Sequence, residues 1–259
     1  MSNYYFVGTI LPPLSFETEP EVDFRSLDSL LKDNLSQSDY QKTVAIRRFF
    51  DLLNLRALWT HEAMDLHGEM SAQEMEEALI TTTNLPDYIF DFLAKFHSLQ
   101  ERLENFPFLL AAFFKEAKEN KDPFLRAYFS FERNFRLVTT GFRAKKLHRD
   151  LITELRFEDL QEEFIKEMIA QNEGKEFTLP EEYEEIKNSY EKFGEEPLLL
   201  QRALDEYRFN FIDQLVDPSD TFSIERILAY MIQLIIVEKW FELDKAKGMQ
   251  IVDTIVKEG

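Results

Sequence analysis

Apolar side chains recur at intervals of three and four residues along most of this 259-residue chain. Between residues 40 and 70, for example, Val44, Phe50 and Leu55 belong to such a series. This spacing places an apolar stripe along one face of a helix. The sequence therefore predicts an all-α protein built as a multi-helix array. The one extended element that we expect is a short N-terminal segment at residues 4–9, because its residues are aromatic and β-branched.

Capping residues and prolines mark where helices begin. A Ser-x-x-Glu capping box at residues 71–74 predicts one start, and Thr-Leu-Pro-Glu at 178–181 predicts another. Asp122 followed by a proline predicts the N-cap of a long helix over 124–147. The apolar series over 40–70 predicts a helix of that full length.

Two long segments of similar pattern predict an internal repeat. Without a gap, residues 127–147 align with 229–249, and both segments begin Ala-Tyr and end in a cationic cluster. Residues 50–56 echo the pattern more faintly. We therefore expect a single helical domain over 1–259 that contains about three related units, with coincidence as the alternative because the identities are few. The expected units are 24–83, 86–175 and 178–259.

Composition argues against several classes of function. Cysteine is absent and the seven glycines are scattered, so neither thiolate chemistry nor a phosphate-binding loop is expected. His61 and His67 lack metal-ligand spacing, and we interpret them as helix-surface residues. The net charge of -19 disfavours nucleic acid as a partner. We expect no catalytic residue, no cofactor, no metal and no membrane-spanning segment.

A basic stretch stands out in this acidic chain and supplies the candidate site residues. On an ideal helix its arginines lie opposite an aromatic stripe, so they do not face the core. Two interpretations remain open: a docking surface for an acidic partner, or a clamp in which these cations pair with the chain's own carboxylates. The candidates are Arg126, Arg133, Asn134, Arg136, Arg143, Lys145 and Lys146, with Lys245 and Lys247 at the end of the second aligned segment.

Several short motifs resemble a known family. The stretch FSIERILAY at 222–230, followed by KAKG at 245–248, looks like the last repeat of the C subunit of V/A-type ATPases, which corresponds to the eukaryotic d subunit. YYFV at 4–7, LPDY at 85–88 and FERN at 131–134 resemble a bacterial family encoded among V/A-type ATPase subunits. The matches extend over most of the chain, and their order is more specific than any one of them.

The resemblance implies a function without bond chemistry. It implies a central-stalk subunit, peripheral on the cytoplasmic face of the membrane, that couples the rotor stalk subunits to the membrane proteolipid ring during ion transport. It also implies three related helical units around a socket, although this chain is shorter than the ATPase C subunit. The alternative function that we consider is an acidic helical adaptor unrelated to the ATPase.

Overall fold

The computed structural model describes the backbone of residues 4–172 and 181–258 and the side chains of 4–171 and 181–245. These residues form helices and connecting loops without any strand, which confirms the all-α prediction. A 3-10 turn, Glu181–Tyr183, precedes α11. The α-helices are α1 Tyr5–Ile10, α2 Phe24–Asn34, α3 Gln37–Thr60, α4 Ala72–Thr81, α5 Asp87–Lys95, α6 Leu99–Glu104, α7 Phe106–Ala117, α8 Pro123–Lys146, α9 Leu151–Glu154, α10 Glu163–Asn172, α11 Glu184–Phe193, α12 Pro197–Gln214 and α13 Ile224–Glu258.

Two of the predicted helix starts are confirmed by their hydrogen bonds. Ser71 and Glu74 form a reciprocal capping box at the start of α4. The Asp122 side chain accepts a hydrogen bond from the Leu125 backbone N–H at the start of α8. In both cases a side-chain oxygen satisfies a backbone donor that has no partner within the helix. The capping box predicted at 178–181 involves residues outside the described part of the chain.

The extended N-terminal segment was predicted wrongly, because these residues form helix α1. Val7 is buried, and the Tyr4 backbone N–H donates to the Phe222 carbonyl at 2.8 Å. A Cβ on Gly8 would lie 2.8 Å from the Phe222 ring, so only glycine allows this close approach. Packing against residues 221 and 222 therefore overrides the strand propensity of the segment.

The helix predicted over 40–70 is also corrected, since α3 ends at Thr60. His61 adopts a left-handed conformation with φ 57°, and the Glu62 N–H donates to the Ala57 carbonyl at 2.9 Å. This is a Schellman ending in which histidine occupies the position that glycine usually takes. The ending could not be predicted, because neither a glycine nor a proline stands at this position.

The chain divides into two compact units. Residues up to 41 and from 181 onward form the first unit, and 42–180 form the second. These boundaries differ from the three repeat units predicted above, so the repeat and the single domain remain predictions. In the first unit, α13 packs against α12, α2 and α1. Its buried face includes Leu228, Ile232 and Trp240.

The second unit has an aromatic interior. Phe113 lies between Phe49, Phe114 and Phe129, with ring centroids 5.2–5.3 Å apart. Such tilted and edge-to-face pairs add to the free energy gained by burying the rings. Trp59 of α3 stacks on Phe92 at 6.0 Å in the same interior.

None of the helices, over the residues that the structure describes, is both long enough and apolar enough to cross a membrane.

Candidate functional site

The basic residues of α8 do not act as one group. Arg133 and Arg136 form ion pairs with Glu158 and Glu162, which lie in the segment that follows α9. Both Arg133 Nη2–Glu158 Oε2 and Arg133 Nη2–Glu162 Oε2 are 2.9 Å. The Arg136 guanidinium donates to Glu158 Oε1. We call these four residues the α8 clamp.

The α8 clamp is largely removed from solvent, and the Glu158 side chain is only 6% exposed. Burial lowers the pKa of Arg136, with Glu158 opposing the shift. Burial also acts to lower the pKa of Arg133, but hydrogen bonds and attraction from Glu162 and Glu158 outweigh it, so this pKa is raised. Both arginines remain charged, and the carboxylates compensate for their desolvation. At Arg133 and Arg136, the arrangement supports the clamp interpretation.

The remaining predicted site residues are dispersed. Arg126 donates to the Asn120 carbonyl, and Asn134 is half-buried. Arg143 and Lys146 are exposed near the end of α8, where Lys145 is half-buried. Lys245 belongs to the other unit and pairs with Glu19 at 2.6 Å on an exposed surface. The Lys247 side chain lies outside the described residues.

A second polar cluster was missed by the sequence reasoning. Arg47, Asp51 and Asn54 lie on one face of α3 and are all buried. They bind the loop of residues 61–71, which connects α3 to α4. Since the cluster holds the loop by its backbone, we call it the α3 network.

Each member of the α3 network bonds to a different part of the loop. Arg47 Nη2 donates to the Gly68 carbonyl at 2.6 Å, and Arg47 Nη1 lies 2.6 Å from Glu69 Oε2. Asn54 exchanges two hydrogen bonds with the Asp65 backbone, at 2.7 and 2.9 Å. The Met70 N–H donates to Asp51 Oδ1 at 3.0 Å. The loop is therefore fixed along most of its length.

Asp51 is the member of the α3 network whose charge is destabilised by burial. Burial raises the pKa of its carboxyl from 3.8 to about 6, although the Met70 and Glu69 N–H groups and the Arg47 charge act in the opposite direction. A Cβ on Gly68 would lie 2.6 Å from Asp51 Oδ1, so glycine is required where the loop passes over α3. The network thus combines an incompletely compensated charge with tight packing.

The two histidines near this loop correct the earlier interpretation of both as helix-surface residues. His67 is buried in the loop, and its Nδ1 lies 2.5 Å from Asp65 Oδ1. His61 is exposed at the end of α3. Within the described residues, no group of three or more His, Cys, Asp or Glu side chains is placed to hold a metal ion.

The loop also forms most of the lining of an open cleft of about 630 Å³. The end of α3 supplies Leu58, the start of α4 supplies Ala72, and the loop supplies the rest of the lining. One signal in the sequence pointed here: Arg47, Asp51 and Asn54 have helical spacing within an apolar series. Polar residues on a core-facing stripe indicate a buried network, but not the segment that the network binds.

The comparisons with known proteins identify relatives without a described activity. A family model described as "Protein of unknown function (DUF2764)" matches residues 1–259. A Chlamydia pneumoniae protein is 30% identical over 263 residues, covering 99% of this chain and 98% of the relative. A Chlamydia trachomatis protein is 28% identical over 258 residues, covering 96% of each chain. Both are named as uncharacterized proteins. No solved structure matches.

Proposed function

We propose that this chain, which belongs to the DUF2764 family, is a non-catalytic coupling subunit of a V/A-type rotary ATPase. In this role it lies peripherally on the cytoplasmic face of the membrane. It links the rotor stalk subunits to the proteolipid ring and transmits torque during ion transport. The proposal rests on the resemblance of its motifs to the C subunit of these ATPases.

The observation that carries the proposal is helix α13. Its 35 residues correspond to a length of about 50 Å. The stretch that resembles the last repeat of the C subunit lies at its start, and Ile227, Leu228 and Ala229 of that stretch are buried. A long helix that packs against α12, α2 and α1 is a stiff element of the kind that a coupling subunit needs.

The α8 clamp supports the same role within the second unit. A torque-transmitting body must resist shear between its helices. Arg133 binds two carboxylates that are four residues apart, and Arg136 binds one of them from the next turn of α8. Bidentate arginine pairs fix orientation as well as distance. Sliding of α8 along this segment would break several charged hydrogen bonds at once.

An affinity-tagged full-length chain, purified from membranes of its own cells, tests the proposal. We expect rotor stalk subunits and the proteolipid ring to co-purify in constant ratio, as measured by quantitative mass spectrometry. Deletion of the gene should leave ATP hydrolysis by the soluble part while abolishing ATP-driven ion transport. Unchanged ion transport in the deletion strain would refute the proposal. Stable capture of other proteins alone would favour the acidic adaptor instead.

The exposed end of α8 is the part of the predicted site that remains available for docking. Arg143 is exposed and has no ion-pair partner among the described residues. Arg143→Glu should therefore cost less than about 1 kcal/mol of folding stability, through its unfavourable charge in the last turn of α8, and weaken assembly with an acidic stalk partner. Arg56→Glu, at an exposed position in the same unit, is the matched control. Equal assembly of both variants would remove the docking role from α8.

A further inference from the structure

The cleft formed by the loop of residues 61–71 has a partly apolar lining. Its apolar lining includes Leu58, Met64, Leu66 and Met70. Leu66 is 63% exposed, so its side chain is accessible to a ligand that enters the cleft. Methionine side chains are flexible and polarizable, so they adapt to varied apolar partners. The cleft therefore offers apolar contact to an incoming group.

Carboxylates surround this apolar surface. Glu62, Asp65 and Glu69 all line the cleft, and the one basic side chain among the lining residues is His61. Asp65 bonds His67, and Glu69 pairs with Arg47, so both have their charges partly compensated. Glu62 is exposed and has no hydrogen-bond or ion-pair partner for its carboxylate within the described residues. The rim favours a positively charged ligand.

The cleft is also formed in advance of any binding. The α3 network fixes the backbone at Asp65, His67, Gly68 and Met70 through hydrogen bonds with buried polar groups. A loop ordered beforehand loses little conformational entropy when it binds a partner. The volume of about 630 Å³ is large enough for several side chains of one helical turn or more.

We propose that this cleft is a docking site for a basic amphipathic helix of a partner protein. Apolar side chains on one face of that helix enter between Leu58, Leu66 and Met70. Its lysines or arginines then lie beside Glu62 at the rim. This mode of recognition places an amphipathic helix in an apolar groove and uses charge to select its orientation. The inference does not depend on the rotary ATPase.

The test uses the full-length chain and a synthetic leucine–lysine peptide of about 18 residues, designed as an amphipathic helix of five turns. A second peptide has the same composition with its leucines spread around the helix. Isothermal titration calorimetry measures both affinities at physiological salt, where long-range attraction is screened. We expect the amphipathic peptide to bind on the order of tenfold more tightly than the spread one.

Two variants locate the binding. Glu62→Gln combined with Leu66→Ser should weaken binding of the amphipathic peptide about tenfold. The control, Glu196→Gln with Leu199→Ser, makes the same changes at exposed positions in the other unit and should leave the affinity unchanged. A photoreactive group on the peptide should crosslink within residues 58–72. Equal weakening by both double variants, equal affinity for both peptides, or crosslinks spread over the acidic surface would overturn the proposal.

Discussion

Replacing Asp51 with asparagine should change how the stability of the second unit depends on pH. Asp51 is 4% exposed, and burial raises the pKa of its carboxyl from 3.8 to about 6. Asparagine can still accept the hydrogen bond from the Met70 N–H, but it carries no charge at any pH. The variant therefore removes the titration and keeps one of the contacts.

The shift in the pKa of Asp51 sets the size and the sign of the expected change in stability. A rise in pKa from 3.8 to about 6 corresponds to about 3 kcal/mol of free energy. Because the pKa is higher in the folded state, protonated Asp51 contributes this free energy to the stability of the fold. The contribution is fully present below about pH 4 and is lost as the pH rises through about 6. Relative to wild type, Asp51→Asn should thus gain most of about 3 kcal/mol between pH 4 and pH 7.5. A pH-independent difference in stability between the two proteins does not affect this change with pH.

The two tryptophans allow the measurement to report on one unit. Trp59 belongs to the second unit and Trp240 to the first. In a Trp240→Phe background, urea unfolding followed by fluorescence reports on Trp59 alone. Asp91→Asn removes an exposed carboxylate from the same unit and should leave the pH profile unchanged. Parallel pH profiles for the Asp51→Asn variant and its parent would refute the reasoning.

Substitutions at four further positions, each followed by urea unfolding, test individual features of the structure. Glu158→Ala should cost about 3 kcal/mol because it leaves the Arg136 guanidinium without its carboxylate and Arg133 with one of its two, and a loss below about 1 kcal/mol would contradict a structural clamp. Gly8→Ala should destabilise the first unit by about 1 kcal/mol, since its Cβ would lie 2.8 Å from a ring carbon of Phe222. Thr82→Gly should stabilise the second unit by about 1 kcal/mol, because Thr82 has φ 53°, which is strained for a β-branched residue. Ser71→Ala should cost about 1 kcal/mol through loss of the capping box, while Ser71→Asp retains a cap and should cost little.

Local patterns explain why the helical fold could be predicted. Apolar spacing and capping residues act within a few positions of one another, so the starts of α4 and α8 were visible in the sequence. The errors arose where a distant contact decides the structure. Residues 4–9 have strand propensity, yet packing against Phe222 makes them helical. The end of α3 relies on His61 in a conformation that sequence patterns assign to glycine.

The candidate site was predictable in part for the same reason. An excess of carboxylates indicated that the arginines of α8 could pair internally, but the sequence could not identify Glu158 as the central acceptor. The α3 network is hard to predict because Arg47, Asp51 and Asn54 are isolated polar residues within an apolar series. Their function depends on a loop up to 21 residues away, and hydrogen bonds of that range leave no periodic signal.

The internal ion pairs affect how this chain can select a partner. A pair such as Arg133–Glu158 removes one cation and one anion together, so the net charge of -19 remains on the surface with fewer cations to offset it. Attraction for a basic partner then extends over much of the molecule and cannot by itself select a site. Selection requires apolar contact in a fixed geometry, which the cleft beside Leu66 combines with an acidic rim. For an acidic partner the situation is reversed: cations are the minority charge, so an exposed cation such as Arg143 marks a place where charge alone can favour binding.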